Sequence, residues 1–211
     1  MKIYRDIFAE IICLENLFLS WEEFKKDKQN KKDVLTFEWN LEPNIINLYR
    51  DLKYHRYKHG VYTPFDLYDP KPRKVHKATV RDRILHHAVF RILNPIFEPT
   101  FISHSFSCQL GKGTHKGVSS LAKILIKTSQ NHHYECFALK CDIKKFFASI
   151  DHQILLSIIK KRIKDEMAIW LVEEIISSFS AETIRERERE REQSLRPRFA
   201  HRQSDQPDFC Q

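Results

Sequence analysis

Apolar residues recur at helical intervals along this chain as far as Phe179, and beyond that point the pattern stops. Arg185 to Glu192 is an unbroken Arg-Glu alternation, and Gln193 to Gln211 follows neither a helical nor a strand period. Any core must therefore come from the residues up to Phe179. They are well equipped for it: hydrophobic residues make up 42% of the chain and aromatics 12%, too much for wholesale disorder. No run of about 18 apolar residues occurs, which excludes a membrane-spanning helix. The start, Met1-Lys2-Ile3-Tyr4-Arg5-Asp6, lacks the apolar stretch and cleavage site of a secretory signal, so a cytoplasmic protein with no membrane partner is expected. The five cysteines lack CxxC spacing, so neither a disulfide framework nor a zinc ribbon is indicated. Lys and Arg total 36 against 28 acidic residues, and the net charge of +8 leans toward a polyanionic partner.

Ile7, Ile11, Ile12, Leu14, Phe18 and Phe24 predict an amphipathic helix from about Tyr4 to Lys28, followed by a polar, Lys-rich break. Pro43 suits the first turn of a second helix bearing Ile45, Ile46, Tyr49 and Leu52. Tyr57 to Val75 reads as short strands joined by proline-marked turns. Thr79 is placed to cap a helix that ends at Asn94-Pro95, and another helix is expected from about Thr114 to Thr128. Tyr134 to Cys141 is short, aromatic and apolar, which fits a buried strand ending at Asp142. Asp151 then caps a helix, and a last apolar helix stops near Phe179.

Three constellations have chemical potential. Lys71, Arg73, Lys74, Lys77, Arg81, Arg83 and Arg91 lie within 21 residues beside one carboxylate, Asp82. Forked guanidinium donors match phosphate oxygens, although a solvated helix face with snorkelling stems has the same composition. Three of the four glycines, Gly111, Gly113 and Gly117, cluster at the start of the helix from Thr114. That arrangement suits either an anion at the free helix amides or a plain turn and cap. Asp142, at the end of the expected strand, needs a partner for its charge. A magnesium ion, which often takes one or two protein carboxylates, would supply it; a turn or capping role is the alternative. His132, His133, Cys136, Cys141 and His152 match no standard zinc spacing, and the two cysteines are read as small hydrophobes in the strand.

In this order the segments resemble the first part of a bacterial reverse transcriptase of the group II intron, retron and diversity-generating kind. The resemblance covers roughly Tyr4 to Phe179. Arg73-Lys74-Val75-His76-Lys77-Ala78-Thr79-Val80-Arg81-Asp82-Arg83-Ile84 resembles the fingers segment that holds the incoming triphosphate. Ser105-Phe106-Ser107-Cys108 through Gly111-Lys112-Gly113-Thr114-His115 resembles the segment that ends in a glycine turn near the template, and Asp142 to His152 resembles the first catalytic segment of the palm.

The resemblance implies an α+β fold: a right-hand polymerase with an N-terminal helical extension over 1–56, fingers over 57–130, the start of the palm over 131–179, and a tail over 180–211. It implies RNA-directed DNA polymerase activity on an RNA template, a DNA primer and deoxynucleoside triphosphates. Asp142 would bind two Mg2+ ions with the Ile143 carbonyl completing one shell, and Phe147 would be the aromatic gate under the sugar. Arg73 or Lys74, with Arg81, would clamp the triphosphate, while Lys112, Gly113 and Thr114 would face the template. Two rival readings are a nucleic-acid-binding module without catalysis and a metal-dependent nuclease built on Asp142.

The chain departs from the family in one respect: it contains no Asp-Asp pair, which the family's later palm hairpin carries. The tail supplies a reason. Reading the codons of Arg198 to Cys210 one base later permits Gly-Leu-Pro-Ile-Gly-Asn-Leu-Thr-Ser-Gln-Ile-Phe-Ala at every position, and this resembles the next reverse transcriptase segment. The residues after about Phe179 are thus expected to be out of frame, the slip lying between Phe179 and Arg198. The chain alone is expected not to polymerise, and to expose strand edges and apolar helix faces.

Overall fold

In the computed structural model, which describes residues 2–68, 72–107, 109, 111–143 and 146–179, Cys13 divides the long first helix that the periodicity predicts. Helix α1 spans Ile7–Ile12 and α2 spans Leu14–Lys25. Cys13 has an extended ψ of 143°, and its sulfur accepts from the Asn16 amide at 3.4 Å. The break is held by Asn16, whose side-chain amide donates to Ile11 O at 2.9 Å and to Ala88 O at 3.2 Å. The carbonyl left free where α1 ends thereby gains a partner. The Lys-rich segment contains a further helix, α3, Lys32–Glu38. Only Val34 of α3 is buried, too few residues to register as a period. The next helix, α4, Leu41–Lys53, carries Pro43 in its first turn as expected.

Strands β1, Thr63–Tyr68, and β2, Pro72–Lys77, form an antiparallel hairpin in which Thr63 faces Lys77 and Tyr68 faces Pro72. Helix α5, Val80–Phe97, follows, with the Thr79 hydroxyl accepting from Asp82 N at 3.2 Å as the sequence predicts. It runs through Asn94-Pro95, where the sequence predicts its end. Pro95 sits in the last turn, where its missing N–H costs a single bond, and Ile96 beyond it is buried. A short 3-10 turn, Glu98–Thr100, closes the element. Helices α6, Thr114–Thr128, α7, Phe146–Ser149, α8, His152–Arg162, and α9, Glu166–Ser178, complete the described chain. The fold is thus α+β, mostly helical with one small sheet. No helix among the described residues is long and apolar enough to cross a membrane.

One hydrophobic interior joins Ile11, Trp21, Leu48, Leu85, Ile163 and Leu171, so helices from both sides of residue 56 share it with α9. Trp21 stacks on Phe37 with centroids 5.5 Å apart, which docks α3 on α2. Tyr4 pairs with Ile163 in a single parallel bridge, Tyr4 N donating to Arg162 O at 2.8 Å and Lys164 N to Tyr4 O at 2.9 Å. Asp165 caps α9 by accepting from Met167 N and Ala168 N, both at 3.0 Å. Its other oxygen accepts from Phe8 N at 2.7 Å, so one carboxylate serves the starts of α1 and α9 together.

Gly113 precedes α6 at φ 135°, a conformation that side-chain-bearing residues avoid, and a Cβ there would meet no neighbouring atom. Gly113→Ala should therefore cost stability through backbone strain alone, about 1–2 kcal/mol, read as a lower urea midpoint with an unchanged slope.

The strand expected from Tyr134 to Cys141 does not form. Residues 135–143 are neither helix nor strand, and Phe137 and Leu139 are 92% and 90% exposed. The segment has strand composition, but it lies against no edge of the β1–β2 hairpin, and a strand is stable only when its backbone groups are paired. Cys136 and Cys141, expected to fill a core as small hydrophobes, are exposed with it.

Candidate functional site

The basic run of the fingers-like segment is largely an ion-pair seam. Arg81 Nη2 donates to Asp51 Oδ2 at 2.7 Å, with its guanidinium 5.0 Å from the Tyr57 ring centroid. Arg83 reaches Asp33 at 2.5 Å, Lys77 reaches the same carboxylate at 2.7 Å, and Arg91 pairs with Glu23 and donates to Asn16 Oδ1 at 3.0 Å. Each of these cations thus ties α5 or the end of β2 to a helix of the N-terminal extension. Partial burial works to raise the Asp33 pKa, but hydrogen bonds from Lys77 and Arg83 outweigh it and hold the carboxyl below its ordinary range. Neither alternative read from the sequence, open phosphate ground or a solvated face, describes Arg81, Arg83 and Arg91. Arg73 and Lys74 lie within β2, opposite Leu67 and Asp66 of β1, and Lys71 lies outside the described residues.

Positive charge without an ion pair among the described residues lies further along the chain. No carboxylate occurs between Glu98 and Glu135. Lys116, Lys123 and Lys127 are exposed on α6 and make no ion pair among the described residues. Seven- and four-residue spacings align them on one face. Lys112 is exposed, its Nζ 3.4 Å from Ser103 O, and Thr114 opens α6 beside it. Lys112, Gly113 and Thr114 are therefore brought together at one helix start.

Asp142, Ile143 and Phe147 are all exposed, the last two at 66% and 76%. The premise of a carboxylate at the end of a buried strand does not hold. Asp151 caps α8 as expected, its Oδ1 accepting from Gln153 N at 2.8 Å and Ile154 N at 3.0 Å. Among the described residues no three His, Cys, Asp or Glu side chains are grouped to hold a metal. A single carboxylate with an adjacent carbonyl suits one magnesium ion that keeps its waters. It does not provide the donor set of a two-metal centre.

The best-built polar site went unnoticed in the sequence. Asp82 is fully buried; its Oδ1 accepts from the Tyr57 hydroxyl at 2.8 Å, and its Oδ2 from the Thr79 hydroxyl at 2.6 Å and from Gly60 N at 3.1 Å. Burial and the Asp82 carboxylate push the Tyr57 phenol far above its ordinary range, so it stays a donor. At Gly60 a Cβ would stand 2.7 Å from Asp82 Oδ2 and 2.8 Å from Thr79 Cγ2, which requires glycine there. His59 lies alongside, its Nδ1 2.8 Å from Gly60 O and its Nε2 3.2 Å from His86 Nε2. A carbonyl only accepts, so His59 Nδ1 carries a proton, and the two Nε2 atoms share one hydrogen bond. The Tyr62 hydroxyl meets Ser178 Oγ at 3.0 Å, and His59 N donates to Glu174 at 3.2 Å, which connects the centre to α9. The sequence signal for it is the spacing Asp82, His86 on one helix face, facing Tyr57-Lys58-His59-Gly60.

Burial, reinforced by the neighbouring His59, lowers the His86 pKa from 6.5 to about 4. The unfolded chain therefore takes up a proton near pH 6.5 that the folded chain refuses. Stability should fall as pH drops from 6.5 toward 4, by at most about 3 kcal/mol from this group. His87, also lowered by burial, acts in the same direction. Urea midpoints at pH 7 and 4.5 measure the drop, and His86→Gln, which keeps a hydrogen-bonding partner for His59, should flatten it.

No protein-family model matches this chain, and a search of the curated proteins finds no match to it.

Proposed function

We propose that the chain is the fingers and the beginning of the palm of an RNA-directed DNA polymerase, with the residues after about Phe179 out of frame, and that alone it does not polymerise. One observation carries the reading. The run Asp142 to His152 is followed, one base out of frame, by thirteen consecutive codons, Arg198 to Cys210, that each permit the next family segment. The tail that carries this pattern lies outside the described residues. A hairpin with Arg73 and Lys74 in its second strand, a glycine turn opening α6, and an exposed Asp142 ahead of the Asp151-capped α8 are consistent with it. On this reading Asp142 is one of the catalytic carboxylates, and the others would lie in the Asp-Asp hairpin that this chain lacks. The aromatic-apolar segment 135–143 is then a palm strand whose neighbours are encoded one frame over.

Resequencing the source DNA from the codon of Ser178 through several hundred bases past that of Gln211 tests the proposal. Continuation of the neighbouring frame through Gly-Leu-Pro-Ile-Gly-Asn to an Asp-Asp pair is the expected result. If no frame encodes those segments, the reading of the tail is wrong.

A second reading, phosphate binding without catalysis, is favoured by Lys116, Lys123 and Lys127, which make no ion pair among the described residues and lie on a stretch with no carboxylate. Such binding should weaken steeply with rising salt and ignore magnesium and deoxynucleotides.

A further inference from the structure

We propose that two copies of this chain pair through residues 139–143 as an antiparallel two-stranded ribbon whose two-fold axis passes between the Cys141 residues. This stands apart from the polymerase reading: it concerns what the 211-residue chain does with an unpaired strand sequence.

Residues 135–143 adopt neither helix nor strand, and Phe137, Leu139 and Ile143 are 92%, 90% and 66% exposed. From 136 to 143 odd positions carry Phe137, Leu139, Cys141 and Ile143, and even positions carry Cys136, Ala138, Lys140 and Asp142; Glu135, on the odd side, lies outside the 139–143 ribbon. In a strand this alternation gives one apolar face and one face with the charges. The sequence thus specifies a strand that lacks only an edge to join, and a second copy brings one.

Charge selects the occupant and the register. With Cys141 opposite Cys141 of the second copy, Lys140 of each chain stands opposite Asp142 of the other, twice across the axis, and Leu139 stands opposite Ile143, also twice. The surface is complementary to itself, as a closed two-fold interface requires. Moving the axis to residue 140 sets Lys140 against Lys140, and moving it to 142 sets Asp142 against Asp142; like charges directly opposite are unfavourable. Registers offset by a single residue set the apolar face of one strand against the charged face of the other. Of the registers centred on Lys140, Cys141 and Asp142, the one centred on Cys141 places opposite charges and apolar pairs together.

Directly opposite residues in such a ribbon hold their Cβ atoms about 4.5–5.5 Å apart, near enough for Cys141 to cross-link to its copy after a small adjustment. Cys136 is equally exposed, yet in this register it lies far from the Cys136 of the second copy.

The test uses the full chain with single cysteines. A chain keeping only Cys141, its other four cysteines changed to Ser, should form a covalent dimer under mild oxidation at least tenfold faster than a chain keeping only Cys136. Equal rates, which random collision would give, or no dimer from either chain overturn the proposal. Lys140→Asp and Asp142→Lys should each lower the Cys141 cross-linking rate at least fivefold, and the double exchange should restore it. Failure of the double exchange to restore the rate also overturns it. Cys13, Cys136, Lys140, Cys141 and Asp142 are exposed, and an unchanged far-ultraviolet circular dichroism spectrum confirms that each variant folds.

Discussion

Asp82→Ala should lower the stability of this chain by about 3–5 kcal/mol, measured as a shift of the urea midpoint at pH 7. The carboxylate accepts from the Tyr57 hydroxyl, the Thr79 hydroxyl and Gly60 N in a fully buried place. Removing it strands these donors where water does not replace the lost acceptor. A domain's whole stability is about 5–15 kcal/mol, so this one change takes a large share of it. Asp82→Asn keeps the shape and one acceptor oxygen and should cost about half as much. Gly60→Ala, which pushes a methyl group into the same carboxylate, should be non-additive with either change, because all three disturb one network. A loss below about 1 kcal/mol for Asp82→Ala would mean that the network does not hold the root of the β1–β2 hairpin.

The second large effect is catalytic and belongs to the proposed polymerase. Residues 1–179 joined to the polypeptide of the neighbouring frame should extend a DNA primer on an RNA template, whereas the 211-residue chain should not. In the joined protein Asp142→Ala should lower extension by about 10^3-fold, the scale of losing several kcal/mol of transition-state stabilisation. Asp151→Ala should leave extension nearly unchanged and cost about 1 kcal/mol in stability, because Asp151 caps α8 through Gln153 N and Ile154 N. Equal losses from the two substitutions would remove the special role given to Asp142.

What the sequence made legible follows the range of the interactions involved. The caps at Thr79 and Asp151, the helix over Thr114–Thr128 and the proline-marked hairpin rest on neighbours within a few residues, and each appears where local chemistry puts it. The break at Cys13 depends on Asn16 reaching Ala88, a contact across 72 residues that no window of sequence contains. The polar centre at Asp82 is hidden for the same reason, two of its three donors coming from residues 57–60 and its outer contacts from α9. The basic run was misread because composition counts cations but does not reveal that Asp33, Asp51 and Glu23 stand in front of them. The segment from Tyr134 to Cys141 has the composition of a strand, yet the buried strand expected there does not form, because strand formation is decided by the partner and not by the segment.

The cap shared between α1 and α9 also bears on how the chain is born. Phe8 N and the Asp165 carboxylate that accepts from it are 157 residues apart in sequence. A ribosome adding about 5–20 residues each second makes Phe8 wait roughly 8–30 seconds for that carboxylate to be made. During the wait Ile11 and Trp21 have only part of the interior that finally encloses them, since Ile163 and Leu171 arrive last. Folding should therefore be completed only once α9 has emerged, and nascent chains halted before residue 165 should be digested by protease where chains long enough to have released residue 179 from the ribosome resist.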